Sequence, residues 1–164
     1  LKPELKRILE PRAAAPATRL RIMRQLAERG VPVTVMVAPI IPFVNDAEIE
    51  HILEAAAAAG ARDAAYVLLR LPHEVKDLFR EWLKVHYPHR AEHVMSLVQQ
   101  MRGGKDYDSR FGVRQTGEGE YAGVVAQRFR LARQRHGLLG RGFELNTGLF
   151  RPPLAEKGQM GFGF

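Results

Sequence analysis

The sequence predicts an α/β fold in which helices alternate with short parallel strands and a helical segment follows. Two short apolar runs stand between segments of helical periodicity, an order typical of parallel strands covered by helices. Both runs are apolar on each face, as strands inside a parallel sheet are. A hydrophobic content of 46% with 26% charged residues is that of a globular protein with a core.

The first helix and strand are predicted near the N-terminus. Apolar residues recur at helical spacing over residues 16–29, and Gly30 follows as a C-terminal stop. The β-branched run Val31 to Val37 then predicts a buried strand, which leads into a turn-rich segment, Ala38 to Phe43.

The next helix begins at a predicted capping box. Asn45 and Glu48 have the spacing of that motif. The alanine-rich segment from Asp46 to Ala59 continues the helix, and Gly60 ends it.

A second buried strand is predicted at Ala64 to Leu71, followed by an amphipathic helix from about Glu74 to Val85. We expect the two strands to lie adjacent and parallel, joined through the helix between them. Two strands do not complete such a sheet, because both are apolar on each face. Further strands from a missing N-terminal portion are therefore expected beside them.

The C-terminal half is predicted to be helical. One helix runs from Pro88 to about Met101 and another from Tyr121 to His136. A Gly-rich polar loop, Gly103 to Gly112, lies between them, and an extended tail follows.

The composition limits the available chemistry. The chain has no cysteine, so it cannot form a disulfide, a Cys-ligated zinc site or a Cys-ligated iron–sulfur cluster. No apolar run reaches the roughly 20 residues of a membrane span, and the charged start is unlike a signal peptide, which predicts a cytoplasmic protein without a membrane partner. A net charge of +7 favours polyanionic partners such as nucleic acid without identifying one.

The polar loop is a candidate substrate-binding segment. Glycines on both sides permit close approach of a ligand to the backbone. An EF-hand is excluded, because the glycine and the glutamate that such a loop requires are absent from their positions. A solvated turn is the alternative, and Phe111 is expected to help anchor the loop. The candidate residues are Lys105, Asp106, Tyr107 and Arg110.

Three histidines, His86, His89 and His93, could place their imidazoles close together. Pro88 interrupts the helix between them, so a solvated helix junction is favoured over a metal site.

The arginines of the last helix do not form one basic face. Arg128 and Arg135 fall on the arc of its apolar residues, whereas Arg130 and Arg133 point to the other side. We therefore favour arginines whose stems lie along apolar surface with their charges in solvent, and direct DNA contact is the alternative. A buried anion or carboxylate is a further expected partner for Arg128 and Arg135.

Several segments together resemble radical S-adenosylmethionine (radical SAM) proteins. The fourth helix and fifth strand of that superfamily are similar to Leu9-Glu10-Pro11-Arg12, residues 18–30 and the run VPVTVMVAPIIPFVND at Val31 to Asp46. The sixth strand and helix of the subgroup named DNA repair photolyases, which is similar to spore photoproduct lyase, resemble Tyr66 to Val75 (YVLLRLPHEV), Leu78-Phe79 and Trp82-Leu83. The similarity extends through Met101 to Tyr107 and Phe150 to Pro153.

This resemblance implies a fold and a cofactor. It implies the C-terminal portion of a partial (β/α)6 TIM-like barrel at residues 1–86, a helical appendage at residues 87–150 and an extended tail at residues 151–164. Such barrels bind S-adenosylmethionine beside a 4Fe–4S cluster held by a Cys-x3-Cys-x2-Cys loop. The chain lacks that loop, so it cannot generate a 5′-deoxyadenosyl radical alone.

The resemblance also implies cofactor-binding residues at the strand ends. Glu10 and Arg12 are candidates for the charged amino-acid end of the cofactor, and an ion pair between them is the alternative. The remaining candidates follow the two strands and are Val37, Ala38, Pro39 and Ile40, then Arg70, Leu71 and Pro72.

The expected function is that of a radical SAM enzyme fragment that acts on nucleic acid, as the naming of the subgroup implies. A noncatalytic basic nucleic-acid-binding module and a structural fragment that folds poorly alone are the alternatives. The tail is similar to peptides that dock on the bacterial sliding clamp, with folding back over the protein as the alternative. Its candidate residues are Gln159, Met160, Phe162 and Phe164.

Overall fold

The structure is a computed structural model that describes residues 2–140 and 147–151. These residues form a mixed α/β fold with two strands. The helices are α1 (Pro3–Leu9), α2 (Pro16–Glu28), α3 (Ile49–Ala58), α4 (Val75–His86), α5 (Ala91–Gln100), α6 (Val113–Thr116) and α7 (Glu120–Arg135). The strands are β1 (Thr34–Ile40) and β2 (Asp63–Leu68), and single 3₁₀ turns cover Asp46–Glu48 and Thr147–Leu149.

The predicted strand pair is confirmed. β1 and β2 are hydrogen-bonded neighbours and run parallel, with the 3₁₀ turn and α3 connecting them. Thr34 lies opposite Asp63 and Val37 opposite Tyr66, and the register becomes irregular between Val37 and Ile40. The carboxyl ends of both strands therefore lie at the same edge of the sheet.

Strand β1 lies three residues further along the chain than predicted at its start and end. The backbone N–H of Val31 donates to the carbonyl of Leu26 at 3.0 Å, and that of Gly30 donates to Ala27 at 2.9 Å. These two bonds form a Schellman motif that ends α2, so Val31 belongs to the helix cap and not to the strand.

Strand β2 ends at Leu68, before the predicted end at Leu71. The guanidinium of Arg102 donates to the carbonyl of Leu69 at 2.9 Å and to that of Leu68 at 3.4 Å. A side chain thus takes the carbonyls that a longer strand would offer to a neighbouring strand.

The predicted capping box is wrong. The side chain of Asn45 makes no cap bond to the following helix. Its Oδ1 accepts from the N–H of Ile41 at 2.7 Å, and its Nδ2 donates to the carbonyl of Pro39 at 2.9 Å. Asn45 therefore fixes the loop that follows β1.

The core lies on one face of the sheet. Val37, Ala64 and Leu68 are buried there, and α3 and α7 pack against this face and against each other. The ring of Tyr66 lies 4.7 Å from that of Phe129 on α7, measured between centroids. Because buried residues before and after residue 86 belong to one hydrophobic cluster, the C-terminal helices share the core of the strand-bearing part.

The other face of the sheet is open among the described residues. Met36 is 57% exposed and Ala38 is exposed, while Ala65 and Val67 are half-buried. The sequence pattern predicts that both faces of the sheet are buried, but the described helices cover only one of them. Within the same residues, no helix combines the length and apolar character needed to span a membrane.

Candidate functional site

The carboxyl ends of β1 and β2 border a shallow pocket of about 280 Å³. Ala38 and Pro39 form one side of it, and residues 67–70 form the other. The walls are apolar except at Arg70, whose guanidinium supplies the only charged group among the residues that line the pocket.

A second cavity, of about 230 Å³, lies between α1, α2 and the outer edge of β1. Its apolar walls include Leu9, Met23 and Ile52, and Glu10 is one of its charged lining residues. Ala38 and Pro39 line this cavity as well as the shallow pocket, so this short segment separates two adjoining spaces.

Five predicted cofactor-binding residues surround these two spaces. Glu10 and Val37 line the cavity beside α1, Arg70 lines the shallow pocket, and Ala38 and Pro39 line both. The structure therefore brings residues from three separate parts of the sequence to one edge of the sheet.

The other predicted cofactor-binding residues lie elsewhere. Ile40 and Leu71 are each 1% exposed and belong to the hydrophobic core, so their side chains cannot reach a ligand at the strand ends. Arg12 is exposed and, like Pro72, lines neither space. The ion pair considered between Glu10 and Arg12 is wrong, because Glu10 accepts from Arg19 at 2.9 Å.

The polar loop contacts the site through Tyr107. The Nη2 group of Arg70 donates to the Tyr107 hydroxyl at 3.2 Å, and the guanidinium carbon lies 5.9 Å from the centre of the ring. Contact at this distance with an aromatic face is favourable for a cation. A predicted cofactor-binding residue and a predicted substrate-loop residue are thus direct neighbours.

The acidic residues of the loop are engaged by arginines. Asp106 accepts from Arg80 at 2.7 Å and from the amide of Gln99 at 2.9 Å. Asp108 receives two bonds of 2.7 and 2.9 Å from the Arg110 guanidinium to one carboxylate oxygen. Hydrogen bonding from Arg110 lowers the pKa of Asp108 to about 2. These bonds tie the loop to itself and to α4 and α5.

The remaining loop residues divide between solvent and internal contacts. Lys105 is exposed, and Arg110 bonds Glu118 at 2.8 Å in addition to its contact within the loop. Phe111 is 91% exposed, so the expectation that it anchors the loop is wrong. Its ring instead lies under the guanidinium of Arg114, at 5.5 Å.

Arg102 holds the end of β2 beside the pocket and was not predicted from the sequence. It is 0% exposed and donates to three backbone carbonyls, those of Val113 at 2.7 Å, Leu69 at 2.9 Å and Leu68 at 3.4 Å. Burial is the main cause of a lowered pKa of Arg102, and the positive charge of Arg70 lowers this pKa further. Its signal is present in the sequence, because position 102 continues the buried helical face of Met95 and Val98.

The arginines of α7 bind carboxylates. Arg128 donates to both oxygens of Glu50, at 2.8 and 2.7 Å, which confirms the expected carboxylate partner. Hydrogen bonding from Arg128 lowers the pKa of Glu50. Arg133 pairs with Asp63, although the helical wheel placed it on the opposite side, and Arg135 is exposed. Arg128 and Arg133 are therefore engaged within the fold.

The three histidines do not converge. His86 packs on Trp82, with ring centroids 5.2 Å apart, and His93 packs on Phe43 at 4.6 Å. No group of three potential metal ligands occurs among residues 2–140 and 147–151. The predicted tail residues, Gln159, Met160, Phe162 and Phe164, lie outside the described residues.

Comparisons with known proteins add no family. No protein-family model matches this chain, and searches of curated proteins and of solved structures find no match.

Proposed function

We propose that the chain forms the C-terminal part of a radical SAM enzyme of the DNA-repair-photolyase-like group. The observation that carries this proposal is the meeting of Glu10, Val37, Ala38, Pro39 and Arg70 around two adjoining spaces at the carboxyl ends of parallel strands. Ligands of parallel α/β folds bind at this edge of the sheet.

The two spaces fit the chemistry of S-adenosylmethionine in part. The apolar walls beside Ala38 and Pro39 suit the adenine ring. Glu10 could accept bonds from the ammonium of the cofactor's amino-acid end, although its carboxylate already has Arg19 as a partner. A 4Fe–4S cluster does not fit on this chain, which has no thiolate to ligate it.

The open sheet face supports the finer fold proposal of a partial (β/α)6 barrel. Met36, Ala38, Ala65 and Val67 form an apolar strip on that face. The inward face of a barrel strand carries residues of this kind, and further strands would cover them. The same strip would be poorly explained by a two-stranded sheet that is complete in itself.

Three measurements test the proposal. The coding DNA upstream of Leu1 is expected to encode a Cys-x3-Cys-x2-Cys loop, and its absence there would contradict the assignment. Titration of the ¹⁵N-labelled chain with S-adenosylhomocysteine, a stable cofactor analogue, is expected to shift the amide signals of Val37, Ala38 and Arg70. After anaerobic reconstitution the chain alone is expected to retain no iron or sulfide.

A basic nucleic-acid-binding module is the second candidate function. It is favoured by α2 and its cap, where Arg21, Arg24 and Arg29 are exposed. If these arginines neutralise phosphates, affinity for an oligonucleotide will fall steeply with salt, while S-adenosylhomocysteine will leave the spectrum unchanged.

A sliding clamp remains a proposed partner of the tail. This proposal is tested by titrating the peptide of residues 156–164 against purified clamp, with Gln159→Ala as the control.

A further inference from the structure

Arg70 makes no ion pair with a carboxylate among the described residues, in contrast to four other arginines of the fold. Arg80, Arg110, Arg128 and Arg133 each contact a carboxylate. Within the described residues Arg70 has none: its Nη2 donates to a neutral tyrosine hydroxyl, and its buried Nε has no acceptor. A guanidinium that is partly removed from water usually gains an anionic partner, because the loss of hydration is costly.

A second positive charge lies behind Arg70. Arg102 is 0% exposed, its guanidinium holds backbone carbonyls and no carboxylate, and its Nε also lacks an acceptor. Asp108, whose negative charge acts on Arg102, makes its hydrogen bonds to Arg110. Two neighbouring cations thus lie at the end of β2, and neither makes an ion pair with a carboxylate in the described part of the chain.

The shallow pocket makes the positive charge of Arg70 accessible to a ligand. Arg70 lines the pocket, and the other lining residues, at positions 38, 39 and 67–69, contribute apolar surface. A fork of N–H donors on Arg70 matches the oxygens of a phosphoryl group, which arginine binds in two-bond geometry. The apolar wall opposite it suits a flat ring joined to that group, as in a nucleotide.

We propose that Arg70 is the anion-binding residue of a site for one phosphoryl group of a nucleotide or nucleic-acid strand, with Arg102 as a positioning residue behind it. Tyr107 orients the Arg70 guanidinium through its hydroxyl and its ring. Arg102 fixes the backbone of Leu68 and Leu69 directly before Arg70. This inference goes beyond the radical SAM assignment, since it concerns an anion and does not require the cofactor.

The test measures binding and the Arg70 side chain together. The probes are inorganic phosphate, thymidine 5′-monophosphate, a short single-stranded thymidine oligonucleotide and S-adenosylhomocysteine, which carries a carboxylate and no phosphate. We expect the phosphate-bearing probes to shift the Nε–Hε signal of Arg70 in the ¹⁵N spectrum. Arg70→Gln is expected to weaken nucleotide binding by about tenfold or more, as for the loss of a charged hydrogen bond.

The matched control is Arg130→Gln, which removes the same charge from an exposed position on α7 and should change nucleotide affinity by less than about twofold. If Arg70→Gln fails to fold, Tyr107→Phe replaces it, because it keeps the ring and removes the bond that orients Arg70. This variant should weaken binding by about threefold.

The probes also separate the sources of the anion. Stronger binding of the oligonucleotide than of the mononucleotide indicates a nucleic-acid strand, and equal binding indicates a free nucleotide. The proposal is overturned if no phosphate-bearing probe shifts the Arg70 signal at about 10 mM, or if both variants bind as the wild type does. It is also overturned if S-adenosylhomocysteine, which carries no phosphate, is the only probe that shifts the Nε–Hε signal of Arg70.

Discussion

Replacing Arg102 by methionine tests the reason that β2 ends where it does. The guanidinium of Arg102 satisfies the carbonyls of Val113, Leu69 and Leu68 from a fully buried position. Arg102→Met keeps most of the aliphatic stem and removes all three bonds. It therefore separates the hydrogen bonds of the side chain from its packing.

The expected magnitude follows from the distances. Two of the bonds, at 2.7 and 2.9 Å, are short, and each contributes about 1.5–3 kcal/mol when the donor is charged. The third, at 3.4 Å, is long and adds little. Against this loss stands the removal of a buried charge that has no carboxylate partner, which returns part of its desolvation cost. We expect a net destabilisation of about 2–3 kcal/mol.

Urea denaturation followed by circular dichroism measures this difference. The midpoint should fall in Arg102→Met with an unchanged slope, since the surface exposed on unfolding is nearly the same. Arg130→Met, at an exposed position, should lie within about 0.5 kcal/mol of the wild type. A change below about 0.5 kcal/mol in Arg102→Met would refute the reasoning, because the three carbonyls would then not depend on this side chain.

Two further predictions concern a glycine and a carboxylate. Gly60→Ala should destabilise the protein by about 2 kcal/mol more than Gly30→Ala, because both positions have positive φ but only at Gly60 would a Cβ meet the Cβ of Ala27, at 2.5 Å. Equal urea midpoints of the two variants would contradict this. The folded pKa of Asp108, about 2, lies below its ordinary value, so the stabilisation it provides is present above about pH 5 and is lost as the pH falls towards about 2. A carboxyl ¹³C titration should show that midpoint, and Arg110→Gln should move it up towards the ordinary value near about 3.9.

Much of the strand arrangement could be predicted from local sequence. Short β-branched runs between amphipathic helices indicate a parallel pair, and Gly30 and Gly60 mark the ends of two helices. The strand bounds could not be predicted as well, because they depend on individual hydrogen bonds, both local ones at the end of α2 and distant ones from Arg102. The periodicity of Val31 to Val37 does not reveal that the first of these residues caps α2.

The candidate site was predictable where it follows the strand ends and not where it depends on packing. Ala38, Pro39 and Arg70 come directly from the order of strand and loop. Ile40 and Leu71 are equally close in sequence, but the irregular register after Val37 and the end of β2 turn them into the core. Local sequence does not show which of several neighbouring residues is buried in the core and which lines the pocket.

Arg102 joins the end of β2 to the C-terminal helices, so both parts of the chain determine the structure around the pocket. Its bonds link Leu68 and Leu69, which line the shallow pocket, to Val113 at the start of α6. Tyr107 adds a second link, from the polar loop to Arg70. The predicted division after residue 86 therefore passes between parts that are bonded to each other at the pocket. Because the geometry at Arg70 is set from both sides of that division, we expect the proposed ligand binding at Arg70 to depend on the helical appendage as well as on the strands.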